Sequence, residues 1–326
     1  MEKIQLTNSS LTAFKTCPRK YELQYQKGIV PVRDSEPLYF GRLMHDGLDF
    51  WCKNGRDIEK TVEHVEEIWN KDPEKDEYLL AKIVVLLRGY HERYKDDELE
   101  LVESEKPFAA PLLNPETGRE SGLFYLSGII DRIVKRHGRF KILETKTTSD
   151  DIYPESDYWR KLSIDSQVSN YYLGAEVVMG QKIENCIYDC IKKPGLQPLK
   201  ATPVENRKYK KDGALYASQR DKDETPQEYY DRLTLDILDR PQFYFARREV
   251  PRSESDLFEY LDDAWNITQS LRAFQTKGKW PRFVNSCFSM FGACQYWKIC
   301  SGQCSEDDQT QFVKVDQVHR EFTKVA

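Results

Sequence analysis

The stretch ILETKTTS, residues 142–149, sets Glu144 and Lys146 two residues apart at the end of an apolar, β-branched run. Upstream, FYLSGIIDRIVK turns at RHGR and returns as FKILETKT. With His137-Gly138 as a two-residue hairpin loop, glycine supplies the positive φ such turns need. Arg136 then faces Arg139, Ile133 faces Ile142, and Asp131 faces Glu144. Directly opposed residues share a face with Cβ atoms roughly 4.5–5.5 Å apart, and Lys146 points the same way. Two ionised carboxylates this close repel each other unless a cation lies between them. An oxygen-rich acidic pocket suits Mg²⁺ or Mn²⁺. Beside it Lys146 would help position and deprotonate a water, or steady charge developing on a phosphate. The bland alternative is a cross-strand salt-bridge cluster at a solvated strand end.

A second group of residues could bind a softer metal. CFSMFGACQYWKIC spaces Cys287, Cys294 and Cys300, with Cys304 shortly after, and Cys17 lies far upstream in FKTCPRKYEL. Gathered thiolates suit Zn²⁺ or an iron–sulfur cluster. Only Cys300-x3-Cys304 has the paired spacing usual for zinc, which makes zinc the weaker reading; buried free thiols are the bland one. Cys52, Cys186 and Cys190 sit in apolar helix or strand patterns and are expected in the core.

These residues must be positioned by a chain of 326 residues with 32% charged and 39% hydrophobic content, a globular composition. No apolar run approaches the roughly 18 residues of a membrane span, and MEKIQLTNSS lacks a signal-peptide core. A cytoplasmic, non-membrane protein is expected, and eight cysteines in that setting point to metal rather than disulfides. The formal net charge of −5 argues against a protein that simply coats nucleic acid, yet leaves room for a local basic groove. Basic and aromatic residues mix in PRKYELQYQK (19–27), NRKYKK (206–211), YFARRE (244–249) and KGKWPRF (277–283). Lys and Arg there would meet phosphates while Tyr and Trp stack on unpaired bases. Arg247 and Arg248 alternate along a strand, so only one can face such a groove. The 206–211 run, in a Pro/Gly-rich loop, is the best candidate for a mobile gripping element.

The periodicity predicts a capped helical start over 9–26 with Pro18 opening a second helix, and helices from Phe40 to about Tyr94. Strands follow from near Leu99 through the hairpin, then a helix across 159–179 and a strand at ENCIYDCIKK. A capping box at Thr225 to Glu228 starts the next helix, followed by a strand at 243–250 and a long amphipathic helix. The pattern implies one mixed α/β domain over 1–326: a central mixed β-sheet flanked by helices, with a helical insertion at 41–97.

GIIDRI followed by ILETKT resembles the core of the PD-(D/E)XK nuclease superfamily, with Asp131, Glu144 and Lys146 as its signature. GRLMHDGL is similar to the Gly-x-x-x-His element and QVSNY to the Gln-x-x-x-Tyr element of the RecB-like branch. The resemblance implies a restriction-endonuclease-like core over 98–250. It also implies metal contacts from His45, Asp131, Glu144 and the Thr145 carbonyl, with Gln167 and Tyr171 organising the site. AddB-type and CRISPR-associated exonucleases of this branch carry one cysteine before the core and three after it, holding a 4Fe–4S cluster. The layout here is similar, with Cys17, Cys287, Cys294 and Cys300 as implied ligands and residues 9–26 and 280–305 as the stapled region. Cys304 is spare, and the x6 gap departs from the commoner x2. Such a staple would close a loop of about 270 residues, whose closure entropy is large. The implied activity is Mg²⁺- or Mn²⁺-dependent hydrolysis of DNA, chiefly single-stranded and exonucleolytic. The implied setting is repair, recombination, phage replication or CRISPR adaptation, with a helicase or a recombination or CRISPR protein as partner. A non-catalytic DNA-binding or assembly subunit on the same fold is the rival.

Overall fold

A computed structural model describes residues 3–33, 35–72, 75–289 and 292–324. In chain order the elements begin with β1 (Ile4–Thr7), α1 (Asn8–Thr16), α2 (Pro18–Tyr21) and a π-helical turn at Glu22–Gln26, then β2 (Ile29–Pro31). Three longer helices follow: α3 (Glu36–Lys53), α4 (Ile58–Asn70) and α5 (Glu77–Tyr94). Next come β3 (Glu100–Leu113), β4 (Glu120–Arg136), β5 (Arg139–Thr148), α6 (Asp157–Leu162), α7 (Ser166–Met179) and β6 (Asn185–Lys192). The last part holds α8 (Pro226–Asp239), α9 (Pro241–Tyr244), β7 (Phe245–Val250), α10 (Glu254–Lys277), β8 (Phe288–Ser289), β9 (Gly292–Ala293), α11 (Trp297–Cys300) and β10 (Phe312–Lys314).

The six-stranded sheet runs β1-β4-β5-β6-β7, with β3 also paired to β4. Its hairpin turns at His137 (φ 49°) and Gly138 (φ 79°), and both positive φ values match the twist a two-residue loop must follow. The β4–β5 register is the one expected, from Arg136 opposite Arg139 to Arg132 opposite Leu143. The ladder stops there, so the expected facing pair of Asp131 and Glu144 is not formed as a ladder pair. The cause lies in β4. Its one edge is taken by β3 along most of its length, and its other edge is divided between two partners. β1 pairs in parallel with Phe124 to Ser127, and β5 pairs antiparallel from Arg132 onward. Residues 128–131 lie where those two partners part, and Asp131 stands at the fork.

Period-two alternation sorts the side chains onto two helical layers. Ile133, Ile142, Cys186 and Val250 pack with α1, α7 and α10 through Leu11, Tyr172, Ala175 and Leu271. Ile191 and Phe245 pack on the other face with α3, α5 and α8 through Leu43, Ile83, Leu87 and Leu233. Both layers are capped where polar side chains meet the first turn: Thr7, Asp165, Thr225 and Ser253 each accept from backbone N–H groups.

Several expectations need correction. The first strand, IQLT, was not expected, and the cap of α1 is Thr7 rather than a residue near Ser9. The helix expected across 159–179 is split at 163–165, because the Asp165 carboxylate accepts from the N–H groups of Gln167 and Val168 and restarts the helix. Cys52 is only half-buried, and its Sγ accepts a hydrogen bond from Arg132 Nη1 at 3.2 Å instead of packing as an apolar core thiol. Cys186 and Cys190 are buried as expected. Of residues 206–211, Asn206 ends a short 3-10 turn and the rest lie in irregular chain, where Tyr209 bridges to Leu215. Among the described residues no helix is long and apolar enough to cross a membrane.

Candidate active site

Glu144 on β5 is fully buried, two residues beyond Ile142 on the α7 side of the sheet. Its Oε1 receives Lys146 Nζ at 2.6 Å and Gln167 Nε2 at 3.2 Å, while its Oε2 is buried without a partner. Gln167 Nε2 also donates to the Tyr171 hydroxyl at 2.8 Å, so the i,i+4 pair on α7 acts as one arm laid over the carboxyl. Asp131 Oδ2 accepts from the Thr145 N–H at 3.0 Å and lies 3.5 Å from His45 Nδ1 on α3. That backbone bond tethers Asp131 to β5 where the ladder has ended. The arrangement draws Asp131, Glu144, Thr145, Lys146, Gln167, Tyr171 and His45 into one place from four elements.

The electrostatics follow from burial. Desolvation, reinforced by the charge of Asp131, pushes the Glu144 carboxyl up to about 8 in spite of the neighbouring ammonium. Lys146 moves upward as well: burial works against its charge, but Glu144 and Asp131 outweigh it, so it stays an ammonium. Burial and the two carboxylates raise Tyr171, keeping its hydroxyl protonated.

Behind the site, on the opposite face of β5, Arg132 donates to Thr145 Oγ1 and to Cys52. Sequence reasoning missed Arg132 because its partners are distant in the chain. It also missed Asp165, whose capping position aims the first turn of α7 at Glu144; a cap residue ahead of an apolar run was the available signal. Of the two adjacent arginines, Arg247 is held behind the sheet by Asp189 at 3.1 Å and by Asp97. Arg248 pairs with Tyr188, itself paired with Glu144, and so lies on the Glu144 side, 4.9 Å over the Trp159 ring.

At the other centre, Cys17, Cys287, Cys294 and Cys300 line a single cavity of about 440 Å³. Cys17 Sγ accepts from the Phe283 N–H at 3.4 Å, and Arg282 Nη1 donates to the Cys300 carbonyl at 2.8 Å. Burial raises Cys287 and Cys300, with the neighbouring thiols adding to it. Cys304 does not line that cavity, although like Cys294 and Cys300 it packs against the cluster of Leu23, Ile29, Tyr296 and Phe312. Among the described residues, no three His, Cys, Asp or Glu side chains are gathered closely enough to hold a metal ion, at either centre. The donor types still fit a hard cation at the first: two carboxylates on neighbouring strands, one of them tethered by the Thr145 N–H, and one carboxylate oxygen buried with nothing to satisfy it.

No curated protein matches the chain. Thirteen chains of solved structures do. Among them is the one described as "Crystal structure of SSO0001", 13% identical over 81% of this chain and 76% of that one, with a TM-score of 0.30. The family model of the PD-(D/E)XK nuclease superfamily matches residues 5–301, a span that takes in every residue of the acidic site. With Asp131 at the fork and Glu144 and Lys146 on the neighbouring strand, the chain belongs to the PD-(D/E)XK nuclease superfamily, hydrolases of phosphodiester bonds.

Proposed function

We propose that this protein is a divalent-metal-dependent deoxyribonuclease of the RecB-like branch, acting on single-stranded DNA as an exonuclease. The observation that carries the reading is the convergence on Glu144: one oxygen shared by Lys146 and Gln167, the other buried and unpartnered, with Asp131 alongside. Asp131, Glu144, the Thr145 carbonyl and His45 would hold Mg²⁺ or Mn²⁺. Such an ion would polarise a phosphoryl oxygen and make a water more acidic.

The chain's own residues supply the rest. Lys146, kept protonated by its carboxylate neighbours, is suited to steadying charge that develops on the phosphate, more than to taking up a proton. Gln167 fixes the Glu144 carboxyl and the Tyr171 hydroxyl in one geometry, leaving Tyr171 as a neutral donor toward the substrate backbone. Arg132 holds Thr145 from behind. In this reading 41–97 is a helical insertion carrying His45 and 98–250 the nuclease core. Cys17, Cys287, Cys294 and Cys300 would hold a 4Fe–4S cluster joining the two ends of the chain. Their common cavity, with Cys304 outside it, supports this set over four tail cysteines on zinc.

The test is Mn²⁺-dependent cleavage of end-labelled single- and double-stranded DNA by wild type and Lys146→Ala. Loss of the ammonium should lower the rate about 10²–10³-fold. Equal rates would overturn the assigned role. The rival, a non-catalytic DNA-binding subunit, draws on the Lys146 ammonium already paired to Glu144, and wild type that never cleaves in Mn²⁺ would select it.

A further inference from the structure

A cavity of about 820 Å³ lies outside the acidic pocket, walled by α1, the π-helical turn, the β2–β10 pair and the approach to α11. Its charged lining is Lys20, Arg33, Lys298 and Arg320, and among the described residues no Asp or Glu lines it. This is unexpected in a chain with 54 acidic and 49 basic residues, where a random wall would carry both signs. Apolar surface alternates with the cations: Trp297 lines the groove, and so do Val32 and Leu38, which are 45% and 56% exposed.

We infer that this groove takes a single unpaired polynucleotide strand, its phosphates against Lys20 and Lys298 and a base against Trp297. A polyanion alone would have no use for the apolar wall, and a duplex keeps its base faces stacked away from it. An unpaired strand presents both surfaces at once. Lys20 and Trp297 also line the thiol cavity, so the cysteine region builds one wall of the groove. Ser9 and Thr12 of α1 line the groove, and at the start of that helix Asn8 Oδ1 accepts from Ser166 Oγ at 2.9 Å, one residue before Gln167 on α7. One helix thus runs from the groove to the edge of the acidic site. The inference deepens the proposed function and rests on it for the substrate's purpose, but the binding itself is separable.

Fluorescence anisotropy with a labelled oligothymidylate in EDTA tests it without cleavage. The double variant Lys20→Gln/Lys298→Gln should bind at least about tenfold more weakly, with a salt slope shallower by about 1.4. Trp297→Ala should weaken binding roughly 5- to 100-fold with the slope unchanged. Lys182→Gln, an exposed charge elsewhere, controls for net charge and should bind as wild type. Wild-type affinity in the Lys20/Lys298 variant, an equal loss in Lys182→Gln, or equal affinity for a duplex of the same length would each overturn the groove. Cleavage is read in parallel with Mn²⁺. Wild type that binds through these lysines without cutting upholds the groove and removes the hydrolytic reading. Wild type that cuts while the lysine variant binds normally removes the groove alone.

Discussion

At Glu144 the carboxyl is asked to do two incompatible things, to be buried and to be charged, and the outcome depends on what cation is near. Lys146 supplies part of the compensation, yet burial and Asp131 still leave the group protonated up to about pH 8. The consequence for stability has a definite sign. The folded chain holds a proton that the unfolded chain releases above its ordinary value of 4.5. Stability from this group is therefore fully present below that value and is lost as pH rises through about 8. Thermal melts of metal-free protein should show Tm falling across this window. Glu144→Gln, which cannot ionise, should flatten the fall, and Mn²⁺ should restore Tm at the alkaline end by binding only the folded carboxylates. An unchanged pH dependence in Glu144→Gln would refute the assignment of the raised value to this residue.

At the level of elements, α7 seats on the sheet where two glycines leave room for one aromatic ring. A Cβ on Gly174 of α7 would sit 2.5 Å from the Phe108 ring, and one on Gly128 of β4 would sit 2.8 Å from it. Phe108 thus fills the space two absent side chains leave, and its edge meets Tyr171 at a centroid distance of 6.3 Å. Gly174→Ala should cost about 1–3 kcal/mol in a denaturant titration by overpacking. It should also lower kcat, because lifting α7 withdraws Gln167 from Glu144. Elements of this kind differ in how far they can be read from the chain. The hairpin register was legible because His-Gly permits one tight turn and a slip would bury charges. The Thr225 capping box and the Pro18 helix start were legible because each is a local hydrogen-bonding or φ constraint. The strand at Ile4–Thr7 was not, since four residues carry no periodicity and its partner lies over a hundred residues on. The fork at 128–131 escaped for the same reason: it is created by two strands competing for one edge. Cys52 was misjudged because its apolar helical surroundings conceal the guanidinium that reaches it from β4.

On the scale of the whole molecule, the two ends of the chain meet. β10 pairs with β2, Cys17 faces the cavity of Cys287, Cys294 and Cys300, and Arg19 reaches Glu306 at 2.8 Å. A cluster in that cavity would add covalent ties to a junction otherwise held by hydrogen bonds, ion pairs and one short strand pair. Protein purified without oxygen should then be coloured and carry iron and sulfide, and Cys17→Ser should lose both colour and several degrees of Tm. Colourless protein with stoichiometric zinc would replace the cluster by the zinc alternative. The same meeting of ends decides what a break in the middle would do. The irregular stretch between β6 and α8 lies within the connection from β6 to β7, two strands that pair with each other, while β2 and β10 hold the far ends together. A protease cutting there would yield two fragments interlocked at two separate seams, so scission of the backbone would not liberate either half.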